Sequence, residues 1–165
     1  MIAAPCFAGG TSVGDTAPDF SSLSTSGRFF NLSGIEGKNV LLSFWSDWCS
    51  SERQELTFLK RVSDHYPEVV IAIVDSETGT PSIRSLTRIA RSLEEWHIDA
   101  KILIDRDLEV TELYNVTALP TSLLIDYSGT ITYRQPNFFN GDTDGVSASL
   151  DRAVSVSFLQ ERKDQ

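Results

Sequence analysis

Two apolar runs with one amphipathic segment between them constrain the fold of this chain more than any other feature. The runs, Val40–Trp45 and residues 69–74, are short and almost wholly apolar, which is typical of buried strands. The segment between them, residues 49–66, carries apolar residues at helical spacing, namely Leu56, Leu59 and Val62. Strands this apolar need cover on both faces of their sheet, so the pattern predicts an α/β fold.

The rest of the chain continues this alternation of strands and helices. Pro81 opens a second helix that runs to about residue 98, with an apolar stripe formed by Ile83, Leu86, Ile89, Ala90 and Leu93. The next elements are a strand at residues 101–105 and a short helix at residues 107–114. A hairpin of strands 121–126 and 130–135 follows, and a last helix covers residues 144–162. This order predicts an α/β sandwich around a central mixed sheet.

Length and charge exclude several classes of protein. The chain has 165 residues and a formal net charge of −9, and no basic run appears, which argues against a nucleic-acid binder. No apolar stretch reaches the roughly 20 residues that span a bilayer, so we expect no integral membrane segment. We expect one domain over residues 13–162, preceded by a tail or the remnant of a removed signal or anchor at residues 1–12, which contains Cys6.

Cys49 stands at the junction between the first apolar run and the helical segment that follows it. Free N–H groups and the helix dipole at such a junction stabilise a thiolate, and a thiolate is a nucleophile. We therefore interpret Cys49 as a reactive thiol, and the alternative is a buried structural cysteine. The two cysteines form no metal-ligand pattern, and we expect neither a metal nor a cofactor.

Several motifs in consistent order carry a family resemblance. Residues 14–20 resemble the pattern G-x-x-A-P-D-F, residues 45–55 resemble W-x-x-W-C-x-x-C-R-x-E, and residues 116–126 resemble V-x-x-x-P-T-x-x-x-I-D. With the extra helix at residues 81–98, they make the chain similar to thioredoxin-like proteins of the TlpA and ResA type, within the redoxin or AhpC-TSA superfamily. The resemblance implies a thioredoxin-like three-layer sandwich, a central mixed β-sheet with helices on both faces. It also implies an extracytoplasmic thiol-disulfide oxidoreductase that works through mixed disulfides.

Glu52 is the departure from that pattern, because it stands where the family has its second active-site cysteine. A carboxylate cannot attack a mixed disulfide, so the chain would act through the single nucleophile Cys49. Three residues after Cys49, Glu52 either binds N–H groups at the start of the helix or points into water. Its negative charge would make Cys49 less acidic than in a relative with two cysteines.

The resemblance also assigns a substrate-binding surface and an acid. Pro120 corresponds to a cis-proline that faces the active cysteine, and Ala118, Leu119 and Pro120 would line the substrate groove. Trp48, Ser50 and Ser51 would border the same groove, whereas one of Trp45 and Trp48 would belong to the core. Glu55 matches a glutamate thought to influence proton movement, and the alternative is a solvated acid on the helix surface.

Three functions remain open from the sequence. The first is thiol-disulfide exchange through Cys49, with a disulfide-containing protein or a low-molecular-weight thiol as partner and an external thiol, or Cys6, to resolve the mixed disulfide. The second is a redox-inactive binding module that uses the groove at Pro120, which the loss of the second cysteine favours. The third is a thiol peroxidase, in which peroxide oxidises Cys49 to a sulfenic acid.

Overall fold

The computed structural model describes residues 11–35, 37–46, 52–77, 83–136 and 143–161, with side chains at all of these except 52, 83, 84, 143, 144 and 158–161. Seven strands alternate with four helices in it. In chain order the elements are β1 Ser21–Ser24, β2 Phe29–Asn31, a 3₁₀ turn Ser33–Ile35, β3 Val40–Trp45, α1 Glu52–His65, β4 Val70–Asp75, α2 Ile83–Glu95, β5 Ala100–Ile104, α3 Glu109–Leu113, β6 Thr121–Ile125, β7 Ile131–Pro136 and α4 Thr143–Glu161.

The strands form one mixed sheet in the order β2-β1-β5-β4-β3-β6-β7. Strands β3, β4 and β5 run parallel, because a helix carries the chain back across the sheet after each of the first two. Strand β6 pairs with β3 in the antiparallel sense and forms the predicted hairpin with β7. The carboxyl ends of the three parallel strands therefore meet at one edge of the sheet, next to the start of β6.

Two apolar clusters cover the two faces of the sheet and confirm the predicted sandwich. On one face α1, α2 and α4 pack together through buried residues such as Leu59, Ile89 and Leu150. On the other face α3 packs with the segment before β1, and the cluster includes Phe20 and Tyr114. Three helices thus cover one face, whereas the other is closed by one short helix and by residues near the start of the domain.

The predicted elements are all present among the described residues, and three details differ from the sequence interpretation. Helix α2 ends at Glu95, three residues before the predicted end at about residue 98. The short helix starts two residues later than residue 107, at Glu109, because the Asp105 carboxylate accepts hydrogen bonds from the N–H groups of Val110 and Thr111 and fixes the start there. The prediction that Ala90 belongs to the buried stripe of α2 is wrong: Ala90 is exposed, and Ser85 lies on the buried side instead. The division of the chain at residue 12 stays a prediction.

Candidate functional site

The Cys49 turn joins two well-placed elements at the carboxyl edge of the parallel strands. Strand β3 ends at Trp45 and helix α1 begins at Glu52. The Trp45 carbonyl accepts a 2.7 Å hydrogen bond from the Ser76 N–H, which ties the end of β3 to the end of β4. Four predicted site residues lie outside the described part of the chain, namely Trp48, Cys49, Ser50 and Ser51. The side chain of a fifth, Glu52, lies outside it as well.

Glu55 is buried against the sheet and does not lie on the exposed surface of α1. Its side chain is only 4% exposed, so the interpretation of Glu55 as a solvated surface acid is wrong. The Ser43 hydroxyl, on the middle of β3, donates a hydrogen bond to Glu55 Oε1. The first turn of α1 thus faces the sheet with a carboxyl group, and the sheet supplies a donor for it. The role of Glu55 in proton movement stays a prediction.

Trp45, the last residue of β3, belongs to the core. It is 4% exposed and packs with the cluster between the sheet and helices α1, α2 and α4. The Arg88 guanidinium carbon of α2 lies 5.9 Å from the centroid of the Trp45 ring, within the range of a cation–π contact. Trp45 therefore fills the core position that the sequence assigned to one of Trp45 and Trp48.

The Pro120 turn stands beside the end of β3. The peptide bond between Leu119 and Pro120 is cis, as predicted. The pairing of Phe44 with Thr121 places Pro120 next to Trp45 across the two strands. The Thr121 hydroxyl donates a 2.6 Å hydrogen bond to the Ala118 carbonyl and closes the turn. Ala118 and Leu119 are half-buried, so each keeps part of its surface accessible, whereas Pro120 is buried.

The carboxyl edge of the sheet also holds polar residues that sequence reasoning missed. Asp75, the last residue of β4, is fully buried and pairs with Trp45. The Thr111 hydroxyl lies 2.6 Å from the Asp105 carboxylate and 2.9 Å from the Ser76 hydroxyl, which links α3 to the ends of β4 and β5. The available signal was the residue type at a strand end, because a carboxylate that closes an apolar run must lie at the edge where the strand stops.

Two further contacts hold the segment that leads to the Pro120 turn. Arg134 of β7 donates hydrogen bonds to the carbonyls of Tyr114 and Asn115, just beyond α3, and burial lowers the pKa of its guanidinium. The Tyr114 hydroxyl donates a 2.7 Å bond to the Pro18 carbonyl, and burial, with a smaller contribution from Asp19, raises the pKa of that hydroxyl. The segment at Tyr114 and Asn115, which leads to the Pro120 turn, is thus held by Arg134 of β7 and by the chain at Pro18.

The two histidines stand apart from this edge. His65 is in the last turn of α1, with Nδ1 2.9 Å from the Arg61 carbonyl, and His97 is exposed two residues after α2. Within the described ranges, no three His, Cys, Asp or Glu side chains come close enough together to bind a metal ion. No helix in the described part of the chain has both the length and the apolar character needed to cross a membrane.

Comparison with known proteins decides the family. A model described as the AhpC/TSA family matches residues 13–134. The chain belongs to the AhpC/TSA family. Within it, the thiol-disulfide oxidoreductase ResA of Geobacillus kaustophilus is 33% identical over 119 residues, which are 72% of this chain and 66% of the relative. The thioredoxin-like protein YneN of Bacillus subtilis is 30% identical over 122 residues, 74% of this chain and 70% of the relative. This AhpC/TSA protein is thus a thioredoxin-like redoxin of the TlpA and ResA type, as its motifs predicted.

Solved structures show the same fold for this AhpC/TSA chain. A putative thiol:disulfide interchange protein DsbE from Chlorobium tepidum superposes with a TM-score of 0.72 at 24% identity, covering 86% of this chain and 97% of that one. A secreted disulfide oxidoreductase of Mycobacterium tuberculosis, homologous to DsbE, gives a TM-score of 0.66 at 22% identity, covering 81% and 95% of the two chains. The match to the ResA relative, by contrast, spans just under two thirds of that protein's length, 66%.

Proposed function

We propose that this protein is an extracytoplasmic thiol-disulfide oxidoreductase that works through Cys49 alone. The observation that carries the proposal is the arrangement around the Cys49 turn. Strand β3 ends at the carboxyl edge of the sheet, the Pro120 turn lies beside that end, and Glu55 is buried in the first turn of α1, the helix that follows Cys49. The relative named thiol-disulfide oxidoreductase ResA supports the same activity, and the apolar residues at positions 1–10 support export.

The reaction needs two exchanges of sulfur. The Cys49 thiolate attacks one sulfur of a partner disulfide, a new S–S bond forms, and the other sulfur leaves as a thiolate that takes a proton. An external thiolate then attacks the partner sulfur of the mixed disulfide and releases Cys49 as a thiolate. One sulfur of the partner disulfide is thereby reduced to a thiol, and the external thiol is oxidised into the disulfide that is released, so bonds and electrons balance. Glu52 carries no sulfur, so the second attack comes from outside the motif.

The remaining site residues have roles in binding and in proton transfer. Ala118 and Leu119, which keep accessible surface beside the cis bond of Pro120, would bind the extended chain around the partner disulfide. Trp48, Ser50 and Ser51 would border that groove, as the family resemblance implies. Glu55 would hold the proton that Cys49 gives up when it becomes a thiolate. The partner would be a disulfide-containing protein or a low-molecular-weight disulfide.

Trapping a mixed disulfide tests the activity. In a Cys6→Ser chain, where Cys49 is the only thiol, we expect reduced protein to react with 5,5′-dithiobis(2-nitrobenzoate) and to form a mixed disulfide that peptide mass spectrometry locates at Cys49. The Cys6→Ser, Cys49→Ser chain should form none. If the folded Cys6→Ser chain forms no mixed disulfide while the urea-unfolded chain does, the proposed activity is wrong.

The substitution of Glu52 for a second cysteine favours one alternative, a binding module without turnover. In that case the Cys49→Ser chain would bind extended peptides as tightly as the unmodified chain, and the thiol would make no contribution. A sulfenic acid at Cys49 that forms with hydrogen peroxide faster than mixed disulfides form would instead support a thiol peroxidase.

A further inference from the structure

Ser43 and Glu55 form a contact between the strand that precedes Cys49 and the helix that follows it. Ser43 is fully buried in the middle of β3, and Glu55 is 4% exposed in the first turn of α1. Twelve residues separate them along the chain, and the Ser43 hydroxyl donates a hydrogen bond to Glu55 Oε1. The strand and the helix that flank the turn are therefore joined by their side chains as well as by the turn itself.

This bond fixes one oxygen of the Glu55 carboxyl against strand β3. Oε1 accepts from the Ser43 hydroxyl and can do so whether the acid is ionised or neutral. A glutamate side chain has several rotatable bonds, and a buried donor on the neighbouring strand restricts them. Glu55 lies three residues after Glu52, about 4.5 Å along the helix axis from the end of the turn. The carboxyl thus lies in the first turn of the helix that follows the segment with Cys49.

We propose that Ser43 is a positioning residue that holds the Glu55 carboxyl for proton exchange with Cys49. The inference rests on the proposed function, since it concerns the proton that Cys49 loses before it attacks a disulfide. The Ser43 hydroxyl stabilises the ionised carboxylate over the neutral acid, because it donates a hydrogen bond that strengthens when the acceptor is charged. Ser43 therefore sets the pH at which Glu55 changes charge, and Glu55 in turn changes the stability of a thiolate at Cys49.

Other charged groups lie on the elements next to this contact, and none of them changes in the experiment. Asp75, at the end of β4, lies on the same sheet face as Ile73 and supplies a second buried carboxyl. Arg88 of α2 lies over the Trp45 ring, and Glu77 follows β4. On α1 itself, Arg53 is exposed and Glu52 is the first residue. A Ser43 variant changes none of these, so a changed pH profile reports the Ser43 contact.

Ser122 offers a matched control. It pairs directly with Ser43 across β3 and β6 and is 1% exposed. Among the described residues, the hydrogen bond to Glu55 Oε1 comes from Ser43 and not from Ser122. Removing either hydroxyl changes the same layer of the core by one atom, whereas only one of the two changes touches Glu55.

The experiment measures the rate of iodoacetamide alkylation of Cys49 against pH, in the full chain with Cys6→Ser. We expect two inflections, one for Glu55 and one for Cys49. Ser43→Ala should move the Glu55 inflection upward by about 1 to 2 pH units, the effect of losing one hydrogen bond to a charged group. Ser43→Thr, which keeps a hydroxyl, should restore it, and Ser122→Ala should leave it in place. With Glu55→Gln, Ser43→Ala should have no further effect.

The outcomes separate this inference from the proposed function, because alkylation requires no disulfide. An unchanged profile in Ser43→Ala, in a chain that still traps mixed disulfides, overturns the positioning role alone. Shifted profiles in a chain that traps no mixed disulfide support the positioning of Glu55 and overturn the proposed function. A ¹³C NMR titration of the Glu55 carboxyl carbon gives a second measurement without Cys49, and an equal titration in the Ser43→Ala and unmodified chains also refutes the inference.

Discussion

Replacing Asp105 with alanine would remove the group that starts α3. Asp105 is 4% exposed, and its carboxylate accepts from the N–H of Val110 at 3.0 Å, the N–H of Thr111 at 2.8 Å and the Thr111 hydroxyl at 2.6 Å. Loss of a helix cap alone costs about 0.5–2 kcal/mol. Here three buried donors lose a charged acceptor, each worth about 1–3 kcal/mol when left unsatisfied, while relief from burying a carboxylate offsets part of the cost. We expect the free energy of unfolding to fall by about 3–4 kcal/mol.

The matched variant is Thr111→Val, which keeps the shape and removes only the hydroxyl. We expect it to cost about 1 kcal/mol in the unmodified chain and less in the Asp105→Ala chain, because its acceptor is then gone. Urea unfolding followed by far-ultraviolet circular dichroism measures both free-energy changes, provided that the slope of the unfolding free energy against urea concentration is the same in all variants. A loss below about 1 kcal/mol for Asp105→Ala, or strictly additive effects of the two changes, would refute the role of this carboxylate as the start of α3.

Two further predictions concern stability alone. Phe44→Ala should lower the free energy of unfolding by about 3–5 kcal/mol, because Phe44 is fully buried. Phe29→Ala is the control, since Phe29 is 69% exposed, and should change that free energy by less than about 0.5 kcal/mol. Equal losses of unfolding free energy for the two variants in urea would contradict the packing of Phe44. Burial, and then the hydrogen bond to Asp151, raises the pKa of Tyr66 from 10.0 to about 12. The resulting stabilisation is complete below pH 10 and is lost as the pH rises through 12, so the unmodified chain should lose stability relative to Tyr66→Phe over that range.

The sequence predicts the order of elements well because each strand and helix has its own local period. The run at β3, the stripe of α1 and the turn at Gly129 are visible within a few residues, and so is the Leu-Pro-Thr motif of the cis bond. The first hairpin, formed by β1 and β2, has no such local signal, since the two strands span four and three residues and bury only alternate side chains.

The polar residues at the site could not be predicted in the same way. Ser43 lies in a strand whose residues are all buried, so periodicity does not reveal which face it occupies. Its partner Glu55 is an acidic residue in a helix, and such residues are usually exposed. Only the tertiary contact between β3 and α1 explains its burial. Asp75 and Ser76 meet Trp45 through the register of parallel strands, which depends on residues far apart in the chain.

Arg134, which donates to the carbonyls just beyond α3, also holds the start of the described chain. The same guanidinium donates a 3.2 Å hydrogen bond to the Thr11 carbonyl, so the chain before Thr11 starts beside the segment that leads to the Pro120 turn. Cys6 is five residues before Thr11, so chain length alone keeps the two residues within about 17 Å of each other. A thiol confined to that distance competes with any thiol supplied in solution. A rate measured at Cys49 therefore reports on an external partner alone only in a chain that carries Cys6→Ser.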